Sequence, residues 1–280
     1  MNFLEKIKFN LNLVKINKVM TYDQTSNPPK LSVLMPVRNE GSNIKIMIKA
    51  LHAVIEVPHE LLFVYDHPND DCIEIVNELE GRYPNTRLIH NQIGIGAANA
   101  IKAGVSASKG EYVLIFAVDE LGPVLAIDEM LHLMDKGCEF ISCTRYAHGG
   151  RRLGGSKIGL MLSWLANKLF FYIFKSALTD CTTGIKMFRK HLFDEIKFEA
   201  GSVGWTFIFE MSIKAQLQGF KLGEVPIISI DRLYGGESTF KLVPWFIEYL
   251  RWFIWGMRIF NIPREIESTP TVMRLPKYMG

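Results

Sequence analysis

Unbroken apolar runs alternate with amphipathic stretches along the first half of the chain. The first run spans residues 31–37 and stops at the polar residues Arg38, Asn39 and Glu40. A short apolar run of this kind, bounded by a polar loop, predicts a strand that is buried on both faces of a parallel sheet. Similar runs follow at residues 60–66, 86–91 and 111–120, and we therefore expect four buried strands.

Segments with helical spacing separate these strands, at residues 43–55, 70–83 and 96–110. The alternation predicts an α/β fold with a doubly wound, mostly parallel sheet and right-handed crossovers. Ligands of such folds bind beyond the carboxyl ends of the strands. We expect a crevice there, because polar side chains follow these ends: Arg38, Glu40, Asp66 and Asp119.

The pattern changes in the second half of the chain. We expect a strand at residues 138–146, a loop rich in glycine and arginine at 147–157, an apolar helical segment at 158–179 and a strand at 224–232. A last apolar helix follows. The chain thus divides into a leader, one large domain and a C-terminal amphipathic helix with a tail, at residues 1–30, 31–240 and 241–280.

Residues 241–258 combine a charged face with a large apolar face and carry three of the five tryptophans, Trp245, Trp252 and Trp255. Tryptophan between apolar and polar surfaces is typical of a helix that lies on a membrane surface. Alternatively, the helix packs on the sheet or on a second copy of the chain in a homodimer. The charged first twenty residues do not fit a signal peptide. We therefore expect a cytoplasmic protein that is peripheral on the cytoplasmic face of the membrane.

Charge is unevenly distributed, although the formal net charge is only +3. So small a net charge gives no reason to expect nucleic acid as a partner. The four cysteines show no CxxC pairing, which predicts reduced, buried thiols. Residues 140–179 contain no Asp or Glu, and this basic block predicts a local anionic partner. Its basic residues are Arg145, Arg151, Arg152, Lys157, Lys168 and Lys175.

A carboxylate at the end of a buried strand either caps the next helix or holds a ribose, a base or a metal. Asp66 is free for such a ligand if a later aspartate caps the following helix. Asp119 and Glu120 are adjacent and can share a divalent cation that bridges a diphosphate. Gly94 and Gly96 form a G-x-G without the third glycine of the dinucleotide fingerprint. A tight turn and a phosphate contact both remain open for them.

Seven blocks of sequence follow one another in the order LSVLMPVRNEGSNI, LLFVYDHPNDD, QIGIGAANAIKAGVSASKGEYVLIFAVDEL, SCTRYAHGG, DCTTGIKMFRK, GWTFIFEM and EVPIISIDRLYGGES. Together they resemble the polyprenyl- and dolichol-phosphate sugar synthases of glycosyltransferase family 2, typified by dolichol-phosphate mannose synthase. The resemblance covers roughly residues 31–242. It implies a GT-A fold, inversion at the anomeric carbon, a nucleotide-sugar donor, a polyprenyl phosphate acceptor and a divalent cation, Mg²⁺ or Mn²⁺.

The resemblance also implies roles for single residues. Asp119 matches the last Asp of the family's Asp-x-Asp, which binds metal and diphosphate, and Arg232 matches a basic residue that closes over the active site. Arg38 stands where the family often has Tyr. The nucleoside-binding positions are matched by Pro36, Glu40 and Asp66, and the groups that hold the donor and acceptor phosphates by Arg145, Arg152 and Ser156.

The chain departs from the family pattern at the metal site. Ala117 replaces the first Asp of Asp-x-Asp, Leu121 stands where a further polar ligand is expected, and Tyr65 replaces an Asp. With Asp119 and Glu120 as the remaining protein ligands, cations such as an arginine can take over part of the diphosphate neutralisation.

The sequence leaves three functions open. The first is transfer of a hexose-type sugar, UDP- or GDP-linked, to polyprenyl phosphate. The second is transfer to a sugar hydroxyl in cell-surface polysaccharide synthesis, which needs a carboxylate base. Glu210 is the candidate base, and a helix-start charge or an ion pair is its alternative role. The third is a non-catalytic nucleotide-sugar-binding subunit, which the loss of the first Asp at Ala117 suggests.

Overall fold

The computed structural model describes residues 28–154, 157–173, 175–199, 205–230, 247 and 250–256, together with the backbone of 272–274. The leader up to residue 27, Ser156, Arg232 and most of residues 241–280 lie outside the described residues. The proposed domain boundaries therefore stay predictions.

The strands of the described residues are β1 Leu31–Val37, β2 His59–Tyr65, β3 Thr86–His90, β4 Tyr112–Ile115, β5 Phe140–Thr144, β6 Arg151–Leu153, β7 Lys186–Arg189, β8 Leu222–Pro226, β9 Ile228–Ile230 and β10 Val272–Arg274. Eight of them form a central sheet in the order β10-β8-β5-β7-β4-β1-β2-β3. All neighbours are parallel except β7, which runs antiparallel to both β4 and β5. A separate ribbon of two parallel strands consists of β6 and β9.

Helices cover both faces of the sheet, which confirms the doubly wound arrangement. They are α1 Gly41–Val54, α2 Cys72–Glu80, α3 Ala97–Ala107, α4 Ile127–Asp135, α5 Lys157–Ile173, α6 Lys190–Glu195 and α7 Thr206–Leu217, with a 3₁₀ turn at Gly122–Ala126. One apolar core lies beneath α1, α2 and α4, and the other lies beneath α3, α5, α6 and α7. Both cores are built from side chains that alternate between the two faces of the buried strands.

Two predicted strands differ in the structure. The fourth strand ends at Ile115, so Asp119 lies in the turn that follows it. The strand expected at residues 224–232 is two strands, β8 in the main sheet and β9 in the ribbon. β8 ends at Pro226, which still pairs with Thr144 of β5, and Ile227 is the single residue between the two strands. The next N–H, that of Ile227, donates to the carbonyl of Thr144 at 3.0 Å.

Residues 250–256 form a helical segment that packs on the domain. Trp252 is only 1% exposed, its ring lies 5.7 Å from the Lys214 ammonium, and Gly256 lies against the Phe170 ring. The expectation that Trp252 lies at a membrane surface is therefore wrong, because packing against α5 and α7 buries this side chain. Leu250 and Ile254 on the same segment are exposed. A homodimer stays a prediction.

All four cysteines are buried and free, as expected. None of the helices in the described ranges is both long and apolar enough to cross a bilayer.

His52 and His59 lie at the end of the sheet opposite the carboxyl ends of the strands, and burial lowers the pKa of both. Burial, and then the charge of His59, lowers the pKa of His52 from 6.5 to about 4. A depressed folded pKa means that the stabilisation is present above pH 6.5 and is lost as the pH falls towards 4, because the unfolded chain binds the proton first. We expect His52→Gln to reduce this loss in urea unfolding at pH 7.5 and pH 4.5. The same substitution at exposed His132 is the control, and an unchanged pH dependence in His52→Gln would contradict the prediction.

Candidate active site

The carboxyl ends of β1 to β5 meet at one edge of the sheet, because these strands run in the same direction. The antiparallel strand β7 begins at this edge with Lys186. The loops that leave the edge carry most of the predicted site residues. Pro36 is half-buried near the end of β1, and Arg38 in the following loop is exposed.

Asp66 follows β2 and is bonded to the loop that contains the G-x-G. Its Oδ1 accepts from Asn91 Nδ2 at 2.7 Å, and its Oδ2 accepts from the Gly96 N–H at 2.9 Å. Asn91 Nδ2 also donates to the Gly94 carbonyl at 2.7 Å. Gly94 and Gly96 adopt φ of 143° and 125°, values that favour glycine. The G-x-G is thus a tight turn organised by Asn91, which the sequence did not single out.

The loop after β1 is held by a second group of acidic side chains. Glu40 Oε2 accepts from Asn43 Nδ2 at 2.6 Å. Asp70 and Asp71 accept the N–H groups of Asn39 and Gly41, both at 3.1 Å. The Asp70–Asp71–Cys72 group is close enough to hold a metal. These hydrogen bonds instead give its carboxylates a structural role in shaping the loop that presents Arg38.

Asp119 and Glu120 lie half-buried in the turn after β4. Glu120 Oε2 accepts from Ser229 Oγ on β9 at 2.9 Å. The backbones also approach closely, since a Cβ on Gly122 would overlap the Ile228 carbonyl oxygen. The acidic turn is therefore packed directly against the β6–β9 ribbon.

Arg152 lies on β6, opposite Ser229 in the parallel register of the ribbon. Ser229, whose side chain is bonded to Glu120, therefore lies one strand spacing of about 4.8 Å from Arg152 across the ribbon. The acidic turn and the strand that carries Arg152 thus both contact β9. The next two predicted site residues, Ser156 and Arg232, lie outside the described residues.

Arg145 is bonded to a buried aspartate. Its Nε and Nη2 donate to the two carboxylate oxygens of Asp180 at 2.7 and 3.0 Å, and its backbone N–H donates to Oδ2 at 3.2 Å. The side chains are 10% and 0% exposed. Burial alone would raise the pKa of Asp180, but the charge and hydrogen bonds of Arg145 lower it to about 2. Arg145 is thus fixed at the start of the loop between β5 and β6, and its charge is largely balanced by Asp180.

Further buried polar groups surround this pair. Glu224 accepts the Thr179 N–H at 2.6 Å, and its second oxygen lies 3.8 Å from His148 Nε2. Lys186 is fully buried and donates to Ser142 Oγ and to the Asp180 carbonyl. Burial lowers the pKa of Lys186. Sequence reasoning missed this network. One signal pointed to it, because Asp180 is the first acidic residue after the acid-free basic block.

Glu210 is fully buried on α7 and forms an ion pair with Lys214 Nζ at 2.7 Å. It also accepts the Glu199 N–H at 2.6 Å. The structure thus shows the ion pair that was the alternative to a catalytic base.

The charged groups at this edge of the sheet determine the chemistry that it can support. The carboxylates of Asp119 and Glu120 are the hard oxygen ligands that Mg²⁺ and Mn²⁺ accept, with phosphate oxygens completing the coordination. Arg152 on the ribbon can neutralise phosphate groups. The donor set therefore fits a divalent cation that is shared between the protein and a diphosphate.

Solved structures share this architecture. The similarity to glucosyl-3-phosphoglycerate synthase from Mycobacterium tuberculosis, in complex with Mn²⁺, UDP and phosphoglyceric acid, has a TM-score of 0.61. It covers 85% of this chain and 80% of that chain at 14% identity. The same enzyme with UDP gives a TM-score of 0.58, over 85% and 82% of the two chains, also at 14% identity. These similarities confirm the GT-A fold.

Sequence comparison finds similar proteins, among them the following two. Polyprenol monophosphomannose synthase of Mycolicibacterium smegmatis is 25% identical over 227 residues, which are 76% of this chain and 85% of that protein. Glycosyltransferase AglD of Haloferax volcanii is 22% identical over 210 residues, which are 71% of this chain but only 32% of that protein. The profile of Glycosyl transferase family 2 matches residues 32–197, more than half of the chain. The protein therefore belongs to glycosyltransferase family 2 and is a glycosyltransferase.

Proposed function

We propose that the protein transfers a hexose-type sugar from a UDP- or GDP-linked donor to polyprenyl phosphate at the cytoplasmic face of the membrane. The observation that carries the proposal is the contact between the acidic turn and the arginine ribbon. Ser229 bonds to Glu120 at 2.9 Å and pairs with Arg152 in the register of the ribbon. This contact supports the proposal, because it joins a turn suited to a cation-bound diphosphate to a strand whose arginine is suited to a phosphate monoester.

In this reaction the bond between the anomeric carbon and the diphosphate oxygen breaks, and its electron pair leaves with the diphosphate. An oxygen of polyprenyl phosphate forms the new bond from the opposite face, which inverts the configuration. Pro36, Glu40 and Asp66 hold the nucleoside half of the donor. The hydrogen bonds from Asn91 and Gly96 keep the Asp66 carboxylate in place before the donor arrives.

A divalent cation supplies positive charge that stabilises the leaving diphosphate. Asp119 is the carboxylate that would hold it. Arg152 and Arg232 add positive charge for the phosphates, and Ser156 completes the phosphate site. The missing aspartate at Ala117 leaves this chain with fewer protein ligands, which makes such arginines more important for neutralising the diphosphate.

The ion pair of Glu210 also supports a phosphate acceptor. A phosphate monoester is already an anion near neutral pH, so its attack needs no strong general base. A sugar hydroxyl would need one. Glu210 is fully buried in an ion pair with Lys214, and this favours the phosphate over the hydroxyl as acceptor.

The membrane part of the proposal rests on an exposed apolar surface. We call the exposed side chains of α5 and of the C-terminal helical segment the apolar face. The two helices touch where Gly256 meets Phe170. Isolated apolar side chains are normal on protein surfaces, but a contiguous patch marks an interaction site. Its members are Met161, Trp164, Leu165, Leu169, Tyr172, Ile173, Leu250 and Ile254.

A double substitution tests this apolar face. We expect Trp164→Glu with Leu165→Glu to weaken binding to vesicles that contain anionic lipid by about tenfold or more, because two apolar side chains lose their burial in lipid. Both side chains are more than 40% exposed, at 45% and 43%, so the fold should tolerate the change. Leu125→Glu, at a 74% exposed position outside the apolar face, is the control. Equal flotation of all three proteins with vesicles would contradict the membrane proposal.

Transfer itself is tested with radiolabelled UDP- and GDP-hexoses and a short polyprenyl phosphate. We expect a lipid-soluble labelled product with one nucleotide type, and none when the matching polyprenol without phosphate replaces the acceptor. Product with the unphosphorylated alcohol or with an oligosaccharide, and none with the phosphate, would support the hydroxyl acceptor instead. Absence of product with every donor would overturn the proposal.

A further inference from the structure

The β6–β9 ribbon is short and needs support from the acidic turn. Each strand has three residues, and a two-stranded ribbon of this size is marginal by itself. Arg151, Leu153 and Ile228 on its outer side are exposed. Ser229 is fully buried, and its hydroxyl donates to Glu120 at 2.9 Å. This contact links a side chain of the ribbon to the turn that contains Asp119.

One oxygen of the Glu120 carboxylate, Oε2, accepts the hydrogen bond from Ser229 on β9. The charge of Glu120 also raises the pKa of Arg145, which follows β5 and is bonded to buried Asp180. Glu120 therefore interacts with protein groups on β9 and after β5. A carboxylate with such contacts is suited to positioning the segments around it.

We infer that Glu120 is a positioning residue, which holds the arginine ribbon over the acidic turn through Ser229, and that Asp119 alone of the two carboxylates holds the cation. The inference rests on the proposed function and assigns a role to the residue beside the altered Asp-x-Asp. Breaking the hydrogen bond between the buried Ser229 hydroxyl and the charged Glu120 carboxylate lowers the stability of the ribbon. The ribbon and Arg152 then lose their fixed position relative to Asp119.

Amide hydrogen exchange of the full-length chain tests this role without any substrate. In Ser229→Ala and Glu120→Ala we expect exchange at Arg151–Leu153 to rise about tenfold or more, since a charge-assisted hydrogen bond of 1.4 kcal/mol or more is lost. Glu120→Gln keeps an acceptor for Ser229 and should retain most of the protection. Ser108→Ala removes another buried hydroxyl, at the opposite end of the sheet, and should leave the ribbon unchanged.

Mn²⁺ titration in the presence of UDP or GDP, followed by electron paramagnetic resonance, separates positioning from ligation. We expect the Mn²⁺ affinity of Ser229→Ala and Glu120→Gln to stay within about threefold of the unmodified protein, while Asp119→Asn loses at least tenfold. With the polyprenyl phosphate acceptor, the KM of Ser229→Ala should rise more than its kcat falls. A tenfold loss of Mn²⁺ affinity in Glu120→Gln, or unchanged ribbon exchange in Ser229→Ala, would overturn the inference.

The two proposals fail in different ways. If no acceptor is ever glycosylated, the proposed function fails, but the exchange and Mn²⁺ measurements still decide the role of Glu120. If transfer to polyprenyl phosphate is found while Glu120→Gln loses the cation, only the positioning role is wrong.

Discussion

Asp180→Ala is expected to lower the free energy of unfolding by about 3–5 kcal/mol, because it leaves the Arg145 guanidinium buried without its counter-ion. The pair is almost fully buried and is joined by two side-chain hydrogen bonds at 2.7 and 3.0 Å. Urea unfolding followed by circular dichroism measures the change. The destabilisation should be smaller in a double variant that also replaces Arg145 by Met, because the guanidinium is then no longer buried without its counter-ion.

A surface ion pair provides the control for this experiment. Lys30 and Asp135 are bonded at 2.7 Å, but their side chains are 31% and 51% exposed. Asp135→Ala should therefore cost about 1 kcal/mol or less. Similar losses in Asp180→Ala and Asp135→Ala would show that the buried network contributes little to stability.

Asp119→Asn is expected to reduce the rate of sugar transfer by about 10²–10³-fold, because the leaving diphosphate loses most of its charge stabilisation. The substitution keeps the shape of a half-buried side chain, so the unfolding free energy should change little. Initial rates at saturating donor and a range of Mn²⁺ concentrations measure the effect. If Asp119 holds the cation, higher Mn²⁺ should recover part of the activity.

Asp128 is the control for Asp119, since it is an exposed carboxylate on α4. Asp128→Asn should retain full activity. An Asp119→Asn variant that is as active as Asp128→Asn would show that the arginines alone neutralise the diphosphate, and that the family's metal site is lost along with the aspartate at Ala117.

The first half of the fold, in which strands and helices alternate, could be predicted from the sequence. Its strands are buried on both faces and therefore have unbroken apolar runs. β1 and β2 match the predicted segments closely, at Leu31–Val37 and His59–Tyr65. The antiparallel strand β7 could not be found in this way. It has four residues and begins with Lys186, whose charge is satisfied by Ser142 and the Asp180 carbonyl. Contacts between distant segments make that lysine fit the sheet.

The site shows a similar division. Carboxylates and arginines at strand ends could be located from strand order alone, and the structure brings Glu120 and the Arg152 strand together. Their partners could not be predicted, since Asp180 and Ser229 lie far from them in sequence. The amphipathic pattern of residues 250–256 fits both a membrane surface and a protein surface. The burial of Trp252 distinguishes the two for that side chain.

The packing of the C-terminal helical segment, residues 250–256, on α7 can be followed by tryptophan fluorescence. The Trp252 and Trp255 rings meet edge to face at 5.1 Å, and the Lys214 ammonium lies 5.7 and 5.6 Å from their centres. An indole emits at longer wavelength when water replaces such apolar surroundings. Release of this segment from α7 should therefore shift the emission to the red before the sheet unfolds, and detachment of the segment can be followed without a label.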